Sequence, residues 1–135
     1  MFSRTLRKKT GGAKILVVDD DRYVSAFMNI ILSQGGYEVV TAQDGLEGID
    51  KAEKEKPDLI LLDFMMPNMD GLTTLAGLKK SKETAGIPVI MVTASDDKTN
   101  VIRAHESGAS GYVVKPIDKA LLLERIASIL KKAAV

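Results

Sequence analysis

The chain has 135 residues, 45% of them apolar, so it is long enough to bury one sizeable core and too short for two ordinary domains. Nineteen basic residues nearly cancel eighteen acidic ones, and only three Phe and three Tyr are present, which argues against direct binding to nucleic acid. Cysteine is absent, which excludes disulfides and thiolate metal sites and favours a cytoplasmic location.

The N-terminal stretch, residues 1–13, carries several basic side chains but lacks the apolar run of a secretory signal. We predict that it is a flexible basic tail and that residues 14–135 form the single domain. No apolar segment of the sequence approaches the roughly 20 residues needed to cross a bilayer, so we predict no membrane insertion.

The first half of the chain alternates between strand and helix patterns. An aliphatic run at 15–18 predicts a buried strand, and an apolar stripe with helical spacing predicts a helix that Gly35 and Gly36 end. A more polar run at 37–41 predicts an edge strand, and Asp44 is the predicted cap of the next helix. The stripe of the first helix comprises Val24, Phe27, Met28, Ile31 and Leu32, and that of the second comprises Leu46, Ile49 and Ala52.

The second half repeats this alternation three times. Three more aliphatic runs predict buried strands, at 59–62, 89–92 and 112–114. The third helix is predicted to begin after Gly71, the fourth to cover about 97–107, and the fifth to begin at Asp118. The predicted inward side chains are Leu72, Leu75 and Leu78 in the third helix and Leu122, Ile126, Ile129 and Leu130 in the fifth.

Five strand and helix pairs in succession predict an α/β fold with right-handed crossovers. The usual arrangement at this length is a doubly wound, five-stranded parallel sheet of order 2-1-3-4-5 with five helices. Such sheets bind ligands beyond the carboxyl ends of the strands, where the strand order reverses, here between strands 1 and 3.

Polar side chains follow four of the five predicted strands at this edge. They are Asp19, Asp20 and Asp21 after strand 1, Asp63 after strand 3, Thr93 after strand 4 and Lys115 after strand 5. Carboxylates gathered in one crevice repel one another, and a hard cation removes that cost. Clustered carboxylates without His or Cys suit Mg²⁺, which commonly takes a phosphate as a further ligand.

The missing ligand is therefore predicted to be a phosphoryl group. Lys115 would pair with one of its oxygens, and the Thr93 hydroxyl would donate to another. Asp63 is then the candidate nucleophile, while Mg²⁺ and Lys115 spread the charge of the transition state.

Four segments carry a resemblance to a known family. They are ILVVDDD at 15–21, LDFMMPNMDG at 62–71, Thr93–Ala94, and GASGYVVKP at 108–116. With these segments the chain resembles the receiver domains of two-component response regulators over about residues 14–131, and the last segment is especially similar to the CheY-like chemotaxis receivers. That family has the flavodoxin-like sheet, so the strand order predicted above rests partly on the resemblance.

The resemblance implies a role for each strand-end residue. Asp63 would be the phosphorylated residue. Asp19, Asp20 and the backbone carbonyl of Met65 would hold Mg²⁺ together with Asp63, and Lys115 would bind the phosphoryl group.

The resemblance also implies a conformational switch. On phosphorylation the Thr93 hydroxyl would move toward the phosphoryl group, and Tyr112 would swing into the space that Thr93 vacates. The Lys115–Pro116 peptide bond is expected to be cis.

The partners and the class of protein follow from the same resemblance. A sensor histidine kinase or a histidine phosphotransfer protein would donate the phosphoryl group, and a downstream protein would bind the face of the fourth helix, fifth strand and fifth helix. The chain, with a receiver domain at 14–135, would be a cytoplasmic signalling switch rather than an enzyme, and a monomer or a weak phosphorylation-dependent dimer. A phosphorelay intermediate, or a receiver module from a longer regulator, would use the same residues.

Other interpretations of single residues compete with these roles. A phosphatase of the haloacid dehalogenase type also forms an aspartyl phosphate, but it needs a second aspartate two residues after the nucleophile, where this chain has Met65. Asp21 is expected to cap the following helix. His105, the single histidine, is expected to take no part in the chemistry.

Overall fold

The computed structural model describes residues 12–94 and 98–134, in which strands and helices alternate along the chain. The strands are β1 (Lys14–Val18), β2 (Glu38–Ala42), β3 (Leu59–Asp63), β4 (Val89–Thr93) and β5 (Gly111–Val114). The helices are α1 (Arg22–Gln34), α2 (Gly45–Glu55), α3 (Gly71–Lys80), α4 (Lys98–Glu106) and α5 (Lys119–Ala134). None of the helices in this part of the chain has the length and apolar character that a membrane span requires.

The strands form one parallel sheet in the order β2-β1-β3-β4-β5, which confirms the predicted doubly wound α/β fold. The register places Val18 of β1 beside Leu62 of β3, and Thr93 of β4 beside Val114 of β5. Because neighbouring strands end at the same level, the residues that follow β1, β3, β4 and β5 meet at one edge. We call it the carboxyl edge.

Helices cover both faces of the sheet, as strands that are apolar on both sides require. On one face, Leu16 and Leu62 pack with buried side chains of α2, α3 and α4, among them Leu75. On the other face, α1 and α5 contribute Met28, Ile31, Leu32, Leu122, Ile126 and Leu130. The carboxyl edge therefore projects from a close-packed platform that holds the strand ends in place.

Leu46 was expected in the core but is 67% exposed. The buried face of α2 consists of Gly45, Gly48 and Ala52, all of them small. A Cβ atom on Gly48 would lie 2.9 Å from Val18 Cγ2, so the backbone of α2 rests directly on β1. This close approach places the glycine face against the sheet and turns Leu46 toward solvent.

Phe27 is also more exposed than predicted, at 48%. The buried face of α1 is a narrow stripe of Met28, Ile31 and Leu32. Consecutive residues differ by about 100° around a helix axis, so Phe27 lies well to one side of Met28. The helix itself is as predicted, but its apolar stripe is wider than the part that reaches the core.

Gly12 and Ala13, which we assigned to the tail, belong to the folded domain. The Gly12 N–H donates to Gly36 O, and the Ala13 carbonyl accepts from Glu38 N, both at 2.9 Å. Ala13 is completely buried in the core beneath α1 and α5. The rest of the predicted tail, residues 1–11, lies outside the described residues, as does residue 97, the predicted start of α4.

Gly71 begins α3 at a point where no larger residue fits. Its N–H donates to Phe64 O at 2.9 Å, and a Cβ atom there would lie 2.5 Å from Asp63 O and 2.8 Å from Phe64 Cα. Both obstacles are backbone atoms, so the loop after β3 would have to shift. We expect Gly71→Ala to lower the free energy of unfolding by about 1–3 kcal/mol, measured by urea denaturation.

Gly86→Ala is the matched control for Gly71→Ala. Gly86 lies in the loop before β4, and a Cβ atom there would meet no atom within 4 Å. The free energy of unfolding of the Gly86→Ala variant should equal that of the parent or exceed it by up to about 1 kcal/mol. Equal stability of the two variants would contradict the prediction, because the loop after β3 would then accommodate the added Cβ atom at no cost in free energy.

Candidate functional site

Three aspartates converge at the carboxyl edge. Asp19 directly follows β1 and Asp63 ends β3, and both are buried, with exposures of 3% and 5%. Asp20 is exposed beside them. One carboxylate oxygen from each of the three residues lies within 4.8 Å of the other two. The strand ends therefore bring together the three predicted acidic ligands.

Backbone hydrogen bonds hold the β1 end of this cluster. The Asp19 N–H donates to Ala42 O at 3.0 Å, and Asp19 Oδ1 accepts from the Asp21 N–H at 2.8 Å. Asp21 Oδ1 in turn accepts from Tyr23 N at 2.8 Å and Val24 N at 3.3 Å, which caps α1. The prediction that Asp21 is a helix cap is confirmed, and the cap fixes the chain direction just after the two acidic residues.

Lys115 reaches the same cluster from β5, across the intervening strand β4. Its Nζ lies 3.5 Å from Asp63 Oδ1 and 3.9 Å from Asp19 Oδ2. The Lys115 N–H donates to Thr93 O at 2.7 Å, and the Lys115–Pro116 peptide bond is cis, as expected. A half-buried ammonium group therefore stands beside two of the three carboxylates.

Burial, together with repulsion from Asp19, raises the pKa of Asp63 from 3.8 to about 6. Lys115 and the Met65 N–H act in the opposite direction but do not cancel these effects. Burial likewise raises the pKa of Asp19. A single ammonium group thus leaves this cluster short of positive charge, which an additional cation would supply. Three carboxylates without a nitrogen or sulfur ligand suit a hard divalent ion such as Mg²⁺.

The raised pKa of Asp63 predicts a pH-dependent stability of the metal-free protein. The folded state binds the Asp63 proton more tightly than the unfolded chain, so this stabilisation is present below pH 3.8 and is lost as pH rises through about 6. The loss amounts to roughly 2–3 kcal/mol. We expect Asp63→Asn, which cannot titrate, to gain stability relative to the parent as pH rises from 4.5 to about 7.

Urea denaturation of both proteins in EDTA at several pH values measures this difference. The titrations of groups far from residue 63 cancel when the two proteins are compared. A stability difference that stays constant with pH would contradict the raised pKa.

The remaining predicted site residues lie around the acidic cluster. Thr93 ends β4 and is 7% exposed. Thr93 and Tyr112 line a common small cavity between β4, β5 and α4. Met65 follows Asp63 by two residues and is 69% exposed, and its backbone N–H hydrogen-bonds to the Asp63 carboxylate. His105 is exposed on α4.

The sequence did not indicate Arg125 of α5, whose guanidinium group lies 5.6 Å from the centre of the Tyr112 ring. Arg125 directly precedes Ile126 of the predicted inner face of the helix. From the sequence it looks like an ordinary arginine on the solvent side of a helix. No motif or spacing relates it to Tyr112, because the contact arises only when α5 packs beside β5.

Residues 15–127 match the response regulator receiver domain family. The chain is 41% identical over 129 residues to the chemotaxis protein CheY of Treponema pallidum, an alignment that covers 92% of this chain and 88% of the relative. It is 40% identical over 119 residues to the DNA-binding dual master transcriptional regulator RpaA of Synechocystis, covering 88% of this chain. In that case, the chain spans about half of the relative's length, 49%.

The fold of the chain is also similar to that of solved structures. The structure of the chemotaxis protein CheY4 of Vibrio cholerae superposes with a TM-score of 0.83 at 32% sequence identity, over 87% of this chain and 98% of the other. The match to the family covers all five strands apart from Lys14, and about half of α5, and it includes Asp63 and Lys115. The chain therefore belongs to the response regulator receiver domains of two-component signalling.

Proposed function

We propose that the chain accepts a phosphoryl group on Asp63 in a Mg²⁺-dependent reaction and acts as a switch that alters the binding of a partner protein. The observation that carries the proposal is the convergence of three carboxylates within 4.8 Å of one another beside Lys115. The three carboxylates and Lys115 together carry two negative charges, which a divalent ion would balance, and the ion and Lys115 would then attract an anionic phosphoryl group.

The proposed reaction is an in-line displacement at phosphorus. An Asp63 carboxylate oxygen forms a bond to phosphorus while the bond from phosphorus to the imidazole nitrogen of a phosphohistidine breaks, and the imidazole leaves with the electron pair. Lys115 Nζ, 3.5 Å from Asp63 Oδ1, is placed to pair with a phosphoryl oxygen. Mg²⁺, held by Asp19, Asp20, Asp63 and the Met65 carbonyl, would neutralise further charge on the phosphoryl group.

The donor in this proposal is a sensor histidine kinase or a histidine phosphotransfer protein in the cytoplasm. After transfer, Thr93 moves toward the phosphoryl group and Tyr112 follows. The shared cavity between these two residues supports the coupling. The output is a changed affinity of the face formed by α4, β5 and α5 for a downstream protein.

The chain is proposed to be a switch rather than a phosphatase with steady turnover. Met65 stands where a haloacid dehalogenase type of enzyme requires an aspartate as general acid and base. An exposed thioether cannot transfer the proton that the departing alcohol of a phosphate ester requires.

Two forms of the switch are supported by different relatives. Similarity along 88% of the Treponema pallidum CheY favours a single-domain regulator, and similarity to 49% of RpaA favours a receiver module of a longer regulator. The mass of the protein isolated from its own cells separates them, because a single-domain regulator has a mass near 14.6 kDa.

Intact-mass spectrometry after incubation with acetyl phosphate tests the chemistry. We expect an adduct of roughly 80 Da with Mg²⁺ and less than a tenth as much with EDTA, because the carboxylates alone repel the donor. Steady release of phosphate from small phosphate esters, without an adduct, would favour an enzyme and contradict the proposal.

A further inference from the structure

The backbone of Asp19 is held by the last residue of β2. The Asp19 N–H donates to Ala42 O at 3.0 Å, so the acidic residue is tied to the peptide unit between Ala42 and Gln43. A trans peptide unit is planar, and its C=O and N–H groups point in opposite directions. The N–H of this unit, which belongs to Gln43, therefore points away from β1, toward the outer side of β2 at the edge of the sheet.

Two side chains of α2 bond to this outer side of β2. Glu47 Oε1 accepts from the Gln43 N–H at 2.6 Å. Lys51 Nζ donates to Thr41 O, in the preceding peptide unit. The two side chains lie one helical turn apart and form an ion pair, with 3.6 Å between Glu47 Oε2 and Lys51 Nζ. The peptide unit that binds Asp19 on one side is thus bound on its other side by a paired carboxylate.

The position of Glu47 is fixed by the first turn of α2. Its N–H donates to Asp44 Oδ1 at 2.8 Å, and this cap begins the helix. The next residue, Gly48, lies so close to β1 that a Cβ atom there would stand 2.9 Å from Val18 Cγ2. The carboxylate of Glu47 therefore reaches β2 from a helix that is packed directly on the strand leading to the acidic cluster.

We propose that Glu47 is a positioning residue that keeps Asp19 in the acidic cluster by holding the peptide unit that follows Ala42. A carboxylate that accepts from the N–H of a peptide unit polarises the unit and strengthens the hydrogen bond to its carbonyl. Without this support the bond from the Asp19 N–H weakens, and the Asp19 carboxylate is held less firmly beside Asp63. The consequence for Mg²⁺ binding rests on the function proposed above, whereas the placement of the Asp19 backbone does not.

Amide hydrogen exchange in EDTA measures the Asp19 hydrogen bond without Mg²⁺ or a phosphoryl donor. The reference is the Phe64 N–H, which donates to Val92 O at 2.8 Å at the same edge of the sheet, because a general loss of stability accelerates both amides together. In Glu47→Ala we expect the ratio of the Asp19 rate to the Phe64 rate to rise about threefold or more. The backbone N–H of residue 47 remains, so the Asp44 cap of α2 survives the substitution.

Glu47→Gln is the conservative control, since it removes the same charge but keeps an acceptor oxygen. Its exchange ratio should stay within about twofold of the parent. Lys51→Met removes the partner of Glu47 and the bond to Thr41 O, so it should also raise the ratio. Lys54→Met is matched to it, because Lys54 pairs with Asp50 at 3.1 Å on the same helix and is 72% exposed, and this variant should leave the ratio unchanged.

The affinity for Mg²⁺ provides a second readout. The two Glu47 variants carry the same charge, so their comparison cancels the long-range effect of the lost carboxylate. We expect isothermal titration calorimetry to give an affinity about threefold weaker for Glu47→Ala than for Glu47→Gln.

Two results would overturn the proposal. The first is an exchange ratio that is unchanged in Glu47→Ala or that rises equally in Glu47→Gln, because the carboxylate would then do nothing for Asp19. The second is an equal affinity of the two variants for Mg²⁺. A parent that binds no Mg²⁺ would count against the function proposed for Asp63, and the exchange ratios would still decide the role of Glu47.

Discussion

Asp63→Asn is expected to abolish the acetyl phosphate adduct. An amide is a poor nucleophile toward phosphorus, and the substitution removes the carboxylate that ends β3 and lies 3.5 Å from Lys115 Nζ. The fold should survive, because asparagine has nearly the same shape and no longer repels Asp19. Intact-mass spectrometry of the parent and the variant under identical conditions measures the loss.

Asp70→Asn is the matched control for this experiment. Asp70 lies in the same loop after β3, and its Oδ1 accepts from Thr73 N at 2.8 Å as the cap of α3. Asparagine caps helices about as well as aspartate, so we expect the variant to take up the adduct as the parent does. An adduct that persists on Asp63→Asn would place the acceptor elsewhere.

The fold could be predicted from the sequence because the strands at the centre of the sheet have a clear aliphatic pattern. Every residue of β3 and β4 is buried, and the aliphatic runs at 59–62 and 89–92 are typical of strands that are covered on both faces of a parallel sheet. In a parallel sheet the carboxyl ends lie together, so Asp19 and Asp63 could be placed at one site before any coordinates were known. Identification of the acid cluster therefore followed from the strand order, which itself rested partly on the family resemblance.

The errors came from packing that a pattern of apolar residues does not describe. Leu46 fits the apolar period of α2. However, the glycines of this helix allow its backbone to pack directly on Val18, so that the glycine face is buried and Leu46 is not. Ala13 is too small to mark the start of a strand pattern, although its carbonyl bonds to Glu38 and its side chain is fully buried. Both depend on distances between elements far apart in sequence.

The same limit applies to the site. The positions of Asp63 and Lys115 were predicted, but the sequence does not give the 3.5 Å between Asp63 Oδ1 and Lys115 Nζ, because Lys115 must reach across β4. No sequence pattern indicated the contact of Arg125 with Tyr112, since it forms only when α5 packs beside β5.

We expect the affinity for Mg²⁺ to fall when Asp20 is altered but not when its exposed neighbour Asp21 is altered. Asp20 contributes a carboxylate oxygen to the acidic cluster, whereas Asp21 points its carboxylate at the first turn of α1. Asp20→Asn and Asp21→Asn each remove one negative charge, at adjacent positions. In Asp21→Asn the asparagine side chain can still cap α1. Removing a unit charge about 4 Å from a divalent ion in a water-like environment costs about 2 kcal/mol, which corresponds to more than a tenfold loss of affinity.

Isothermal titration calorimetry with Mg²⁺ on the parent, Asp20→Asn and Asp21→Asn measures this difference. We predict one bound ion for the parent and for Asp21→Asn, and an affinity at least about tenfold weaker for Asp20→Asn. Equal affinities in all three proteins, or a loss confined to Asp21→Asn, would mean that the ion is not shared by the carboxylates of β1 and β3.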